Sequence, residues 1–159
     1  MCEKMNIPEH CQEDRCKEFF SLFARFEYAM KAVGFRKKEN GRITILWNDM
    51  TDSVRDYLTD TDNDKLQTAI TYILTKPPKK QDIVNDEIIW VDASANRGDD
   101  IYDLFVYIRR VRNNLFHGGK YHGKYLSDPQ RSFELMDHCS TVLHACLHAN
   151  NQLNEAYRQ

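Results

Sequence analysis

The hydrophobic positions of this chain recur at helical spacing over most of its length. Five stretches place an apolar residue every three or four positions, which gathers those residues on one face of an α-helix. They predict helices over residues 13–33, 47–58, 64–74, 99–117 and 128–153. The first of these has an aromatic-rich stripe and should end at Gly34, because glycine accepts the left-handed conformation of a helix C-cap.

The segments between the predicted helices are short, apart from residues 77–98. There, two β-prone runs flank Asn85 and Asp86, a pattern typical of a small hairpin. Residues 35–46 indicate a basic turn followed by a short extended piece. With 159 residues and 42% hydrophobic content, the chain can bury a core of its own. We therefore expect one all-α domain over residues 1–159, a bundle of four to five helices with an irregular or hairpin insertion at 77–98.

The composition narrows the class of protein. No apolar run is long enough to span a bilayer, and the first ten residues lack the apolar segment of a signal peptide. We therefore expect a cytoplasmic protein that makes no membrane contact. Five cysteines without a CxxC pair indicate reduced thiols. His144 and His148 could ligate zinc with a cysteine of the same helix, but those cysteines face its apolar side, so we expect no metal site.

Positive charge is concentrated between Leu104 and Ser127. This stretch holds five of the chain's 22 Lys and Arg residues and none of its 24 Asp and Glu residues, within a net charge of −2. Charges clustered within a Debye length reinforce one another. The asymmetry predicts one surface that faces anions on a neutral to acidic body.

Arg112 lies within the apolar stripe of the helix predicted over 99–117. At 100° per residue it points about 40° away from Ile108 and about 20° away from Phe105. A core-facing guanidinium stays charged and needs acceptors. It is either a structural ion pair, the reading that position alone favours, or a group held ready for an anionic ligand.

Glu27 is a candidate partner for that arginine. It flanks the stripe of the first helix and could pair with Lys31 four residues on, the arrangement we favour. It could instead reach Arg112 and supply the carboxylate that a buried guanidinium requires. Through that second contact Glu27 would be a structural support for the site.

His117 falls at the predicted helix end, before Gly118 and Gly119. A helix C-terminus favours a protonated imidazole, and histidine titrates near neutrality, so the placement suits proton transfer. As a lone histidine, it is more simply a C-capping residue. Arg112 and His117 are about 140° apart on an ideal helix, so they would meet at one substrate only if the helix unwinds or two copies associate.

The string Arg112-Asn113-Asn114-Leu115-Phe116-His117 resembles the Arg-Asn-x-x-x-His signature of the HEPN domain family, small all-helical domains found in many toxin and anti-phage ribonucleases. The longer run IRRVRNNLFHGGKY, with the upstream PPKKQ and Trp90, is similar to a bacterial subgroup of the family. The resemblance implies a HEPN-like bundle. It also implies a metal-independent endoribonuclease without a cofactor, with Arg112, Asn113 and His117 as the catalytic residues.

This resemblance implies further expectations about partners. RNA would be the substrate and cleavage would give 2′,3′-cyclic phosphate and 5′-hydroxyl ends. The expected RNA-binding residues, cationic or aromatic, are Arg109, Arg110, Lys120, Tyr121, His122 and Lys124. A homodimer and an antitoxin or other regulatory partner are expected from the family. The alternative is a non-catalytic HEPN-type module that binds RNA or another protein.

One position departs from a related branch of the family. That branch carries a tyrosine two residues after the histidine, which a partner antitoxin nucleotidylates, whereas this chain has Gly119 there. Tyr121 is near but out of register. Regulation by that modification is therefore not expected from the motif.

Overall fold

The computed structural model describes residues 8–117, 121–122, 125–126 and 128–159. Within them lie six helices: α1 (Glu9–Val33), α2 (Trp47–Thr59), α3 (Asp64–Thr75), α4 (Asp100–Phe116), α5 (Pro129–Ala149) and α6 (Asn151–Arg158). Between the helices lie three antiparallel strand pairs: β1 (Arg36–Glu39) with β2 (Arg42–Ile45), β3 (Lys80–Val84) with β4 (Glu87–Val91), and β5 (Tyr121–His122) with β6 (Tyr125–Leu126).

Local capping signals fix the helix ends close to their predicted positions. Gly34 ends α1 with φ at 105°, the left-handed C-cap that its sequence predicted. The side chain of Asn63 accepts the Leu66 N–H at the start of α3. Asp99 accepts two N–H groups at the start of α4, and Asp128 accepts one at the start of α5. Each cap satisfies donors that a helix start leaves without a partner.

The buried apolar side chains form one cluster to which all six helices contribute. Trp47 lies inside it at the start of α2. Its ring is 5.8 Å from the Phe23 ring and 6.2 Å from each of the Phe26 and Phe105 rings, so it joins α1, α2 and α4. The largest fully buried side chains are Phe19, Phe23, Phe26, Phe105, Met30, Met50, Ile73, Leu104, Ile108, Leu143, Leu153 and Val54.

The expected all-α class is wrong, because the described residues combine six helices with paired strands. The hairpin expected within 77–98 is present as β3–β4, with Ile83 opposite Ile88. A second hairpin, β1–β2, replaces the turn and single extended piece expected at 35–46. Both turns have positive φ at their two central residues, as a two-residue hairpin turn of type I′ requires: Asn40 at 49°, Gly41 at 77°, Asn85 at 51° and Asp86 at 65°.

The last predicted helix is two helices. α5 ends at Ala149, and Asn150 then starts α6 by accepting the Leu153 N–H at 3.0 Å. Apolar periodicity continues through this break because Leu147 and Leu153 are both buried. The side-chain cap is what divides the helices, and it raises the expected four to five helices to six.

No helix in the part of the chain described above is long and apolar enough to cross a membrane.

Candidate functional site

The site predicted from the motif lies on α4, whose buried stripe has one flank on either side. We call the side that carries Arg109, Arg112 and Phe116 the α1 flank, because it faces α1 and the start of α2. We call the side that carries Arg110 and Asn114 the hairpin flank, because it faces the base of β3–β4. The polar side chains of the two flanks differ in the hydrogen-bond partners that the fold gives them.

On the α1 flank, Arg112 pairs with Glu27 at 3.1 Å through one of its terminal nitrogens. Glu27 therefore takes the second of its two expected roles, and its surface pair with Lys31 does not form. The guanidinium also lies 5.0 Å from the centre of the Phe23 ring. The side chains of Arg112 and Glu27 remain 29% and 22% exposed, so the pair can still be reached from solvent.

Arg112 is incompletely satisfied. Its Nε atom is buried and has no hydrogen-bond partner among the described residues. Leaving a buried donor without an acceptor costs about 1–3 kcal/mol, and such groups in a folded protein call for an explanation. A guanidinium with five N–H donors and one carboxylate contact retains capacity for an anionic ligand.

Arg109 lies one turn before Arg112 with its guanidinium 5.5 Å from the Trp47 ring. Within the described part of the chain it has no carboxylate or carbonyl acceptor. Burial lowers the pKa of Arg109, and the positive charges of Arg97 and Arg112 lower it further, while Glu27 raises it. The side chain stays charged at neutral pH, so three arginines here face one carboxylate.

On the hairpin flank, Arg110 and Asn114 donate hydrogen bonds to backbone carbonyls. Arg110 donates to the carbonyls of Pro78 and Ala93 at 3.1 and 2.5 Å. Asn114 is buried and donates to the Lys79 carbonyl at 2.8 Å. These contacts tie the segments on either side of β3–β4 to α4. Arg110, expected to bind RNA, is thus occupied in holding the fold together.

His117 and Asn113 lie on the exposed side of α4, between its two flanks. His117 is the C-cap residue, with its backbone N–H bonded to the Asn113 carbonyl at 3.1 Å. Its ring stands edge-on to Phe116, 5.3 Å away. The imidazole is therefore at the helix end, as expected, and exposed. The backbone makes the cap, and among the described residues the His117 ring contacts Phe116 alone.

A groove of about 540 Å³ runs between α1 and α4 beside these residues. Phe116 forms its outer edge, 66% exposed, with its ring edge-on to Phe20 at 6.2 Å. Arg112 lies one turn away from Phe116 within the same groove. The lining residues are Phe20, Phe23, Ala24, Glu27, Arg112, Leu115 and Phe116.

The segment after His117 is described only in part. Tyr121 and His122 form a backbone strand paired with Tyr125 and Leu126, and the second of these strands, β6, lies against α1 and α5. Lys120 and Lys124, two of the expected RNA-binding residues, lie outside the described residues. So do Gly118 and Gly119, the expected end of the helix.

Sequence reasoning missed the contribution of Arg97 and Trp47. Arg97 is exposed in the irregular segment before α4, and its backbone N–H donates to Asp103 at 3.0 Å. No periodicity marks a residue in such a segment. The charge of Arg97 adds to those of Arg109 and Arg112 only because the segment before α4 lies close to that helix, which the sequence does not indicate.

No group of three or more metal-ligating side chains occurs within the described ranges. Cys139 and Cys146 are fully buried, and burial raises the pKa of both thiols. Comparisons with protein-family models, with curated proteins and with solved structures found no match to this chain. The resemblance to HEPN domains therefore rests on the motif residues alone.

Proposed function

We propose that this protein is a metal-independent endoribonuclease acting at the α1 flank and the adjoining end of α4. The observation that supports the proposal most is the combination on one helix of an incompletely satisfied Arg112 and an exposed His117. Cleavage of RNA without a metal requires at least a cation that binds the phosphate and a group that transfers a proton, and an arginine and a histidine supply these two functions.

In the proposed reaction, the 2′-oxygen of a ribose attacks the adjacent phosphorus while the bond from phosphorus to the 5′-oxygen breaks. The 2′-hydroxyl loses its proton and the leaving 5′-oxygen gains one. His117 performs one of these transfers as general base or general acid, a role worth about 10²- to 10⁴-fold in rate. The products are a 2′,3′-cyclic phosphate and a 5′-hydroxyl, and DNA is inert because it has no 2′-hydroxyl.

Arg112 stabilises the charge that grows on the phosphate oxygens. Its single contact with Glu27 leaves donors free, and a guanidinium contacts two phosphate oxygens at once. Asn113, exposed one turn before His117, orients the imidazole or the phosphate. Arg109, Lys120, Tyr121, His122 and Lys124 remain the proposed RNA contacts. Arg110 is withdrawn from that set because backbone carbonyls already hold it.

We propose a homodimer as the active form, cytoplasmic and controlled by an antitoxin or other regulatory partner. On α4, Arg112 and His117 are about 140° apart, so one copy does not aim both at the same atom. A second copy across a two-fold axis would supply its own His117 for the other proton transfer. The exposed Phe116 beside the groove is an apolar surface that such an association would cover.

The second candidate is a non-catalytic module that binds RNA or another protein. The Arg112–Glu27 pair favours this second candidate, because the Glu27 carboxylate already accepts a hydrogen bond from one terminal nitrogen of the arginine. An apolar groove bordered by charged residues is also typical of a protein-binding surface.

The two candidates differ in whether RNA is cut. Purified protein should cleave RNA, but not DNA of the same sequence, in the presence of EDTA, and leave cyclic phosphate ends. His117→Ala should lower the rate by about 100-fold or more, without unfolding, since the ring is exposed. His144→Ala, another exposed histidine, is the matched control and should leave the rate unchanged. Cleavage that persists in His117→Ala would remove His117 from the proposed reaction, and no cleavage by the well-folded dimer and in cells would favour the non-catalytic module.

A further inference from the structure

Arg55 and Arg109 both lie against an aromatic ring, at similar distances, but have different surroundings. Arg55 on α2 is 4.7 Å from the Tyr102 ring, and Arg109 on α4 is 5.5 Å from the Trp47 ring. Arg55 is paired with Asp99 at 2.9 Å and with Asp52 at 3.3 Å. Arg109 has no such partner in the described part of the chain.

The electrostatic environments of Arg55 and Arg109 also differ, as the directions of their pKa shifts show. The hydrogen bond to Asp99 raises the pKa of Arg55, which means that its surroundings favour the charged form. Burial and two neighbouring arginines lower the pKa of Arg109, so its surroundings oppose the charge that it carries. Like charges three residues apart on a helix are destabilising. The surroundings of Arg55 therefore favour its positive charge, whereas those of Arg109 oppose it.

The cluster around Arg109 has an excess of positive charge. The positive charges of Arg97 and Arg112 both act on Arg109, and the Glu27 carboxylate, which pairs with Arg112, partly offsets them. The nearby Asp103 carboxylate is engaged by the backbone N–H of Arg97. Arg97 is exposed and has no side-chain partner among the described residues, so the cluster opens to solvent. An anion that contacted it would remove the repulsion.

We infer that Arg97 and Arg109 bind a second phosphate of the RNA backbone, next to the phosphate that Arg112 holds. Arg109 and Arg112 are three residues apart, with Cβ atoms about 5–6 Å from each other, a spacing that neighbouring phosphates of a flexible strand can match. The Trp47 ring gives the Arg109 guanidinium a fixed surface to pack against, because that ring is buried and in contact with three phenylalanines.

This inference rests on the proposed function only for the identity of the ligand as RNA. The chemistry recognised is a phosphate group, and a free nucleotide would supply the same group. Binding to an uncleavable strand therefore tests it separately from catalysis.

The experiment measures affinity for a 2′-O-methyl RNA of about twelve nucleotides, which lacks the attacking hydroxyl, by fluorescence anisotropy over a range of salt concentrations. We expect Arg97→Gln and Arg109→Gln each to weaken binding by about fivefold or more, and to reduce the salt slope by about 0.7 for each lost contact. Lys65→Gln, which removes an exposed charge from α3, should change affinity by less than about twofold.

Thermal unfolding separates a ligand-binding arginine from a structural one. Arg55→Gln should lower the unfolding midpoint and leave RNA affinity unchanged. Arg109→Gln should leave the midpoint unchanged or raise it, because the substitution removes an opposed charge. Arg109→Gln that binds RNA like the wild type, or that lowers the midpoint as much as Arg55→Gln, would overturn the inference.

Two further arms identify the source of the phosphate and keep the proposals apart. Inorganic phosphate and a mononucleotide are added to the thermal assay, and stabilisation by either at micromolar concentration would reassign the site from RNA to a free ligand. Binding to 2′-O-methyl RNA that depends on Arg97 and Arg109, without cleavage of ordinary RNA, supports this inference while the nuclease proposal fails. If the wild-type protein cleaves ordinary RNA while Arg97→Gln and Arg109→Gln bind 2′-O-methyl RNA normally, the nuclease proposal is supported and this inference fails.

Discussion

On the hairpin flank of α4, Arg110 and Asn114 direct their donors to three backbone carbonyls. On the α1 flank, Arg109 has no acceptor within the described residues, and Arg112 has one carboxylate and a buried Nε without a partner. The same helix therefore carries one arginine that two backbone carbonyls hold and two arginines that have fewer acceptors. A basic residue in a motif indicates a ligand only when the protein has not already supplied its acceptors.

The largest effect should come from changing Arg112 while keeping its charge. Arg112→Lys preserves the positive charge but loses the planar, two-pronged contact with phosphate. We expect RNA cleavage to fall by about 100-fold, the size of effect that follows loss of one donor to a charged transition state. The rate is measured on labelled RNA under single-turnover conditions.

Arg36→Lys is the control for that substitution, because the Arg36 side chain, in the first hairpin, donates to the Lys31 carbonyl of α1 and to no other acceptor among the described residues. It should cleave at the wild-type rate. Equal rates for Arg112→Lys and Arg36→Lys would mean that Arg112 has no role beyond its pair with Glu27.

A smaller effect, on stability rather than activity, should mark the hairpin flank. Arg110→Met removes the donor to the Pro78 and Ala93 carbonyls and should lower the free energy of unfolding by about 2 kcal/mol. Urea denaturation measures the loss. Affinity for uncleavable RNA should stay within about twofold of the wild type, since this guanidinium is already engaged. A large loss of RNA affinity with unchanged stability would place Arg110 in the binding surface after all.

The smallest effect should come from Glu27. Glu27→Gln frees Arg112 and removes the carboxylate nearest to Arg109. We expect affinity for uncleavable RNA to rise by about threefold, through one more cation available to phosphate. Stability should fall by no more than about 1 kcal/mol, because the pair is partly exposed to solvent. Weaker RNA binding in Glu27→Gln would show that the pair positions Arg112 for its ligand instead of competing with it.

Local signals in the sequence predicted the helices and their starts. The caps of α3, α4 and α5 depend only on residues that are close in the sequence. Each helix start has a side chain that accepts an N–H group within three residues, from Asn63, Asp99 and Asp128 respectively. The division at Asn150 was not predicted, since buried leucines continue the periodic pattern on both sides. The first hairpin was missed as a pair because its first strand, Arg36–Glu39, consists of four charged residues and has no β-prone side chain.

The candidate site was predictable only in part, for a similar reason. The position of Arg112 within an apolar stripe indicated that it needs acceptors. For Glu27 the sequence allowed a pair with Lys31, which we favoured, or with Arg112, which is the pair that forms. The acceptors of Arg110 are backbone carbonyls 17 and 32 residues away, which side-chain patterns do not show. The proximity of Arg97 to Arg109 likewise depends on how the segment before α4 folds back on that helix.

Nuclear magnetic resonance of the arginine side chains tests the contrast between the two flanks most directly. The Nε–Hε signals of Arg109, Arg110 and Arg112 are followed while uncleavable RNA is added. We predict that the signals of Arg109 and Arg112 shift with saturable binding, while that of Arg110 stays in place. Movement of the Arg110 signal together with the others, or shifts in none of the three when RNA binds, would contradict the assignment of the α1 flank as the RNA-binding surface.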